Sequence, residues 1–275
     1  MKQLDRPGLL AAAFALLAGA AGAAPIATNT ALPVGDGNAV VRGQLVFARA
    51  GAPGVDVRTR LFRTTMGYGV TPRLAVFASV PMLEREAAGS TVSGIGDSAV
   101  FARYELYREN GVGRTLRLAP FAGTILPTGR EGETGDGSTD FFGGVVLTVA
   151  TTRWGLDSQL RYDVNREAHG REAGDVLRAE TSFQYRLAPT LTGAVDAGFL
   201  FAVLELSAVH AAQSEVGGVA VGNSGGTRLA VTPGLQWASS RLMFDLGVQL
   251  PVAERLKGTQ VEPEYTVLGS VRINF

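Results

Sequence analysis

The chain has 275 residues, no cysteine, and 25 basic against 25 acidic side chains. That balance leaves no electrostatic case for nucleic-acid binding. The lack of cysteine excludes a disulfide framework, so packing and backbone pairing must hold the chain together. The 36 glycines follow no collagen period and lie in segments that otherwise alternate, as curved or bulged strands require.

Residues 1–23, MKQLDRPGLLAAAFALLAGAAGA, place Lys2 and Arg6 ahead of an apolar run from Leu9 to Ala18, then the small residues Ala21-Gly22-Ala23. This is the pattern of a secretory signal peptide cut after Ala23. The run is too short and too rich in alanine for a stable membrane anchor. Removing Lys2, Arg6 and Asp5 takes a net +1 from a neutral chain, so residues 24–275 carry −1. No later apolar run approaches the ~20 residues of a spanning helix, so only strands could cross a membrane.

Residues 24–275 divide into about twelve strand-like segments, with ten to fourteen allowed by the weaker ones, and form one β domain. Short breaks at 69–74, 108–114, 151–155, 186–191 and 238–241 alternate with long ones at 48–54, 83–94, 127–138, 165–174, 207–226 and 252–263. An up-and-down outer-membrane barrel sorts its turns this way, and a soluble sandwich has no reason to. In segment 155–164, Leu156, Leu160, Tyr162 and Val164 alternate with Asp157, Gln159, Arg161 and Asp163. The closing stretch sets Tyr265, Val267, Val271, Ile273 and Phe275 against Thr266, Ser270, Arg272 and Asn274. Tyr68, Trp154, Tyr185 and Trp237 lie beside short turns, where an aromatic girdle meets a membrane interface. Segment 139–150 lacks a clean polar face, and the pattern of 55–70 changes phase near Arg63, which predicts a bulge there.

With the apolar faces turned to lipid, the lumen-facing candidates are Arg42, Arg103, Glu105, Arg117, Asp157, Arg161, Arg178, Glu180, Arg228 and Asp245. The same phasing adds Arg58, Arg60, Arg186, Arg272, Asp97, Asp140, Asp163, Asp196 and Glu264. An Arg turned to lipid at the midplane costs ~2–4 kcal/mol, so inward placement is expected. These charges either fill a closed interior with ion pairs or line a narrow polar path. Gly123, Gly144, Gly198, Gly234 and Gly247 would relieve crowding or let strands bend. Pro81, Pro120 and Pro233 interrupt segments that must donate to a ladder, which predicts bulges or a local side opening.

Three motifs suggest other chemistry. GNSGG (222–226) fits the nucleophile pattern G-x-S-x-G, with Ser224 and the loop histidines His169 and His210 as a conceivable lipase, but no helix follows it. GDS (96–98) reads as a strand opening. REGETGDGSTD (130–140) gathers Glu131, Glu133, Asp136 and Asp140, yet matches no EF-hand spacing. Neither a catalytic set, a metal site, an ATP-binding motif nor a cofactor is expected.

GIGDSAVFARYELY (94–107), LRLAPFAGTILPTGR (116–130), TPGLQWA (232–238) and the closing GSVRINF resemble the outer-membrane transporter family labelled as phenol-degradation meta-pathway proteins. The resemblance implies an outer-membrane barrel, sometimes encoded beside the catabolism of aromatic or hydrophobic compounds, with no catalytic residues. It also implies that the final aromatic, Phe275, is an assembly signal read by the barrel-insertion machinery. The expected function is passive transport of small, hydrophobic or aromatic solutes across the bacterial outer membrane, with lipid and solute as partners. The alternatives are a structural or adhesive barrel with a sealed lumen, an outer-membrane lipase, and a soluble lipocalin-like binder.

Overall fold

The computed structural model describes residues 26, 30–52, 54–189, 198–239 and 241–275. The expected signal peptide and Asp196 lie outside them. In chain order the strands are β1 (Ala39–Ala52), β2 (Val55–Gly69), β3 (Leu74–Ala87), β4 (Ser90–Ile95), β5 (Ser98–Tyr104), β6 (Tyr107–Gly111), β7 (Arg114–Leu126), β8 (Asp140–Thr151), β9 (Trp154–Val164), β10 (Arg171–Glu172), β11 (Val176–Ala188), β12 (Phe199–Ala211), β13 (Glu215–Val216), β14 (Val219–Ala220), β15 (Gly226–Ala238), β16 (Leu242–Leu256) and β17 (Glu262–Asn274). β4, β5 and β6 are successive pieces of one wall strand, interrupted at Gly96-Asp97 and Glu105-Leu106. β10, β13 and β14 form a small separate sheet. The rest closes into an antiparallel barrel of twelve strands.

Closure runs through β1, which pairs with β2 on one side and with β17 on the other, from Val40↔Asn274 to Ala48↔Thr266 and beyond. Past the last ladder pair, the Phe275 N–H donates to the Ala39 carbonyl at 2.9 Å. The seam leaves no free strand edge between the first and last strands, the condition for backbone to cross lipid.

The barrel is apolar outside and polar inside. Leu246 is 59% and Leu206 57% exposed on the outer face, while Arg178 (3%) and Glu205 (1%) are buried on the inner one. A water-soluble domain buries the opposite sets, so the outer belt is built to meet hydrocarbon. Tyr68, Trp154 and Tyr185 are exposed at the rim of short turns, with Trp154 paired to Tyr185 across β9 and β11. Arg153 lies over the Tyr185 ring at 5.6 Å.

Several local expectations need correction. Two of the expected long connections are tight hairpins on strands that overrun the belt: β1 turns into β2 after Ala52, and β3 into β4 through Ala88 and Gly89, both at positive φ. The 55–70 segment has no phase change. Arg63 pairs in unbroken register with Gln44 and Pro81, and Val57, Thr59 and Leu61 face inward. Arg58 and Arg60 therefore point outward, near the hairpin tip, where Arg60 meets Glu84 at 2.5 Å and Arg58 meets Asp56 at 3.0 Å. Glu264 is likewise exposed, bridging to Arg49 at 3.2 Å beside a register shift at Arg49/Ala50. The other shifts fall at Arg186/Ala188 and Leu229/Ala230.

Pro81 and Pro120 keep register with Arg63 and Val145 on one side, but on the other the ladder skips from Ser79↔Ala99 to Met82↔Ile95 and from Phe121↔Arg103 to Leu118↔Tyr107, at the breaks between β4, β5 and β6. At Pro233 the β15–β16 ladder skips from Val231↔Leu250 to Gly234↔Gly247. The missing donor of proline thus coincides with an interrupted ladder on one side at each of the three positions, as the expected bulges required.

Candidate functional site

The charged inner face is organised by register. Arg161 on β9 stands opposite Arg178 on β11, a like-charge pair that would be destabilising alone. Asp163, two residues along β9 on the same face, bridges both: Arg161 Nη2 donates to it at 2.5 Å and Arg178 Nε at 2.9 Å. One step down, Gln159 donates to its register partner Glu180 at 3.1 Å. Asp157 accepts from Thr148 at 2.5 Å and from Gln184 at 3.2 Å.

The same device recurs at the seam. Arg42 on β1 faces Arg272 on β17, and Arg42 reaches Asp245 on β16 at 3.1 Å and Ser270 at 3.0 Å. Ser270 also donates to Asp245 at 2.6 Å. Nearer the short turns, Glu105 accepts from both Arg108 and Arg117. Arg228 on β15 has Glu254 of β16 as its register partner. Among the described residues Arg103 forms no ion pair within 4.0 Å; its Nη2 donates to the Leu32 carbonyl at 2.8 Å and its guanidinium lies over Phe77 at 4.9 Å.

One wall of the interior is aromatic, which the alternation pattern did not reveal. Phe77 (β3), Phe101 (β5), Phe121 (β7) and Phe142 (β8) form a continuous group on the inner face. Phe77 and Phe101 stack with centroids 4.6 Å apart, and Phe101 meets Phe121 and Phe142 edge-on at 6.3 and 5.9 Å. Arg161 sits 3.9 Å over Phe142, a cation on a ring face. The phenylalanines lie across glycines on neighbouring strands: a Cβ on Gly67 would come within 2.5 Å of the Phe77 ring and on Gly144 within 2.6 Å of the Phe121 ring, while one on Gly123 would meet Phe101 Cβ and come within 2.7 Å of the Phe142 ring. This explains why segment 139–150 lacks a polar face. Its inward residues include Phe142, Gly144 and Val146.

A segment preceding β1 occupies the space between these walls. Ile26 is 1% exposed, and its N–H donates to Glu205 of β12 at 2.5 Å. Ala31 N–H donates to Thr148 of β8 at 2.8 Å, and Ala31 packs in the cluster that contains Phe121, Phe142 and Val146. Leu32 is held by Arg103, and Asn38 and Gly37 bond the Gly69 backbone at the short-turn rim. The described residues of this strap thus meet β12 at Ile26, β8 at Ala31 and β5 at Leu32, and reach the rim at Gly37 and Asn38. Sequence reasoning missed it. The available signal was PIATNTALPV (25–34), apolar and small residues without strand alternation, directly before the first strand.

The motifs for other chemistry are structural here. Ser224 Oγ donates to the Val221 carbonyl at 2.7 Å and accepts from Ser214 N–H at 3.0 Å, closing its loop. His169 pairs with Glu131 at 2.8 Å and His210 with Thr227 at 2.8 Å, so neither serves Ser224. The acidic residues of 130–140 disperse to separate partners: Glu133 to Arg130, Asp140 to Ser138 and the Arg166 N–H. Asp97 caps the same loop by accepting from Gly129 and Asp136 N–H groups at 2.9 and 3.0 Å.

A closed antiparallel barrel with a lipid-facing apolar belt, an aromatic rim and a charged interior is an outer-membrane β-barrel. The chain belongs to the family described as "Putative MetA-pathway of phenol degradation", whose model matches residues 28–260. No curated protein matches the sequence. Among solved structures, the COG4313 outer membrane channel from Pseudomonas putida F1 is similar with a TM-score of 0.69 at 16% identity, over 90% of this chain and 97% of that one. The transport unit of the autotransporter AIDA-I from Escherichia coli is similar with a TM-score of 0.50 at 11% identity, over 99% of this chain and 100% of that one. At these identities the likeness is one of fold.

Proposed function

We propose that the barrel passes small hydrophobic or aromatic solutes passively down their concentration gradient across the outer membrane. The observation that carries this reading is the four-ring aromatic wall beside the charged ladders of the bore. A barrel interior that only had to be filled could use ion pairs throughout; stacked rings with guanidinium groups on their faces give the bore an apolar side, half-buried at Phe77 and Phe101 and covered by Ala31 at Phe121 and Phe142. The charged ladders at Arg161, Arg178, Glu180 and Asp157, at Arg42 and Asp245, and at Arg103, Arg117, Glu105 and Arg228 flank that surface and select among solutes by charge. The similarity to an outer-membrane channel of Pseudomonas putida supports the same reading. Export with cleavage after Ala23, and recognition of Phe275 by the insertion machinery, belong to it.

A second reading has its own support. Ile26, Ala31 and Leu32 occupy the bore against β12, β8 and β5, as a barrel with a sealed lumen and a structural role would require. One experiment separates the two. Purified protein is reconstituted into planar bilayers for conductance and into liposomes for uptake of labelled toluene. Conductance together with protein-dependent uptake is expected; closed bilayers with uptake equal to empty liposomes would leave the sealed barrel standing.

A further inference from the structure

Among the described residues before β1, Ile26 is buried in a closely fitting apolar pocket. The Ile26 side chain packs in a cluster with Val46, Leu61, Val203 and Leu268 from four different strands. Its floor is the facing pair Gly234 and Gly247 on β15 and β16. A Cβ on Gly234 would come within 2.8 Å of Ile26 Cδ1, and one on Gly247 within 2.6 Å. The absence of side chains at these two positions is therefore what gives the isoleucine its room.

Above this apolar floor is a polar bracket. Glu205 Oε1 accepts the Ile26 N–H at 2.5 Å, and Gln44 Nε2 donates to the Ile26 carbonyl at 3.5 Å. Glu205 Oε2 is buried without a hydrogen-bond partner among the described residues. The site thus offers an apolar cup, an acceptor with unused capacity, and a donor. A buried acceptor left unmade is costly, so the bracket favours an occupant that donates.

We infer that this nest is a binding site for a small molecule with a compact apolar body and a single hydroxyl, for which Ile26 is the resident stand-in. The hydroxyl donates to Glu205 and accepts from Gln44, doing with one oxygen what Ile26 does with its N–H and C=O. A ring the size of cyclohexane takes the place of the isoleucine side chain. Such a molecule binds by displacing Ile26, so its apparent affinity is reduced by the fraction of time the nest is filled by the chain. The inference rests on the transport reading for how a solute reaches the bore, but binding at the nest is measured without flux.

The test uses full-length protein in lipid nanodiscs, with cyclohexanol as probe, methylcyclohexane as its hydroxyl-free counterpart, and equilibrium binding by saturation-transfer NMR against empty nanodiscs. Ile26→Ala withdraws the side chain that fills the cup, so the resident segment, left with only its backbone bonds to Glu205 and Gln44, competes less well, and cyclohexanol binding is expected to tighten about tenfold. Methylcyclohexane is expected to bind that variant about fivefold more weakly than cyclohexanol, for want of its hydrogen bonds. Ile26→Ala combined with Gly247→Val refills the cup and should abolish the gain; if that pair does not fold, Ile26→Ala with Val46→Phe serves instead. Equal affinity of the wild type and Ile26→Ala, or a gain that survives refilling, overturns the site. Equal binding of the two probes overturns the hydroxyl. Cyclohexanol flux into proteoliposomes is read separately: absent flux with the binding gain intact removes transport and keeps the site, while flux without the gain removes the site and keeps transport.

Discussion

Glu205 and Ile26, 179 residues apart in the chain, meet inside the barrel where the carboxyl oxygen accepts the isoleucine N–H at 2.5 Å. Their contact ties the strap to the wall at β12. Glu205→Ala leaves that N–H buried without its acceptor, at a cost of about 1–3 kcal/mol. The strap should loosen, and single-channel conductance in planar bilayers should rise above wild type. Unchanged conductance would mean that the bonds of Ala31 to Thr148 and of Leu32 to Arg103 are enough to hold the strap in place.

Asp163 is the shared counter-charge of two arginines that stand opposite each other on β9 and β11. Asp163→Asn keeps the shape and removes the charge. Losing one member of a buried charged group costs about 3–5 kcal/mol, so the temperature at which the folded band converts on a gel should fall. The bore also gains positive charge, so the reversal potential in a salt gradient should move toward anion preference. A variant with unaltered melting would show that other groups already neutralise Arg161 and Arg178.

Leu246 projects from the middle of β16 into the outer belt. Leu246→Arg should lower stability by ~2–4 kcal/mol, measured by urea unfolding in lipid vesicles. Val252 lies on the same strand and face, farther from the short turn. Val252→Arg should cost only about 0–1 kcal/mol, as depth in the bilayer falls. Equal costs at the two positions would contradict the placement of the belt.

At the seam, Phe275 donates its N–H to Ala39 and leaves its ring exposed on the outer face. Removing Phe275 deletes that closing bond and the aromatic that the insertion machinery is proposed to read. The expected result is less protein in the outer-membrane fraction and more degradation, by immunoblot of fractionated cells. Normal insertion of the shortened chain would end the assembly role.

The sequence made the outer face legible because lipid imposes one chemistry on every outward position, as in Leu242, Phe244, Leu246 and Val248 of β16. Closure and strand pairing followed from alternation and from the rhythm of the turns. The interior was legible only where it is charged. Phe77, Phe101, Phe121 and Phe142 face inward with the same period as the lipid-facing residues, so alternation could not assign them a side. Arg58 and Arg60 were misplaced for a related reason: beyond the belt the outer face meets water, and charge ceases to mark the inside. The strap has no period to read. It is held by side chains of β1, β5, β8 and β12 that are far from it in sequence.

The aromatic wall carries a consequence for how this bore can change over time. Phe77 faces Gly67, Phe101 faces Gly123 and Phe121 faces Gly144, each pair directly opposed across neighbouring strands. Each phenylalanine lies where its partner has no Cβ, so the two positions share one volume. Enlarging a glycine alone evicts a ring into the bore, and shrinking a ring alone leaves a hollow. Gly67→Ala together with Phe77→Leu shifts volume across the pair, whereas a Cβ added at Gly123 or Gly144 would also meet the Val100 or Leu160 carbonyl oxygen, which no change of ring relieves. At Gly67 and Phe77 the calibre of the passage is thus inherited as a couple, and its widening or narrowing there proceeds by matched exchange between adjacent strands.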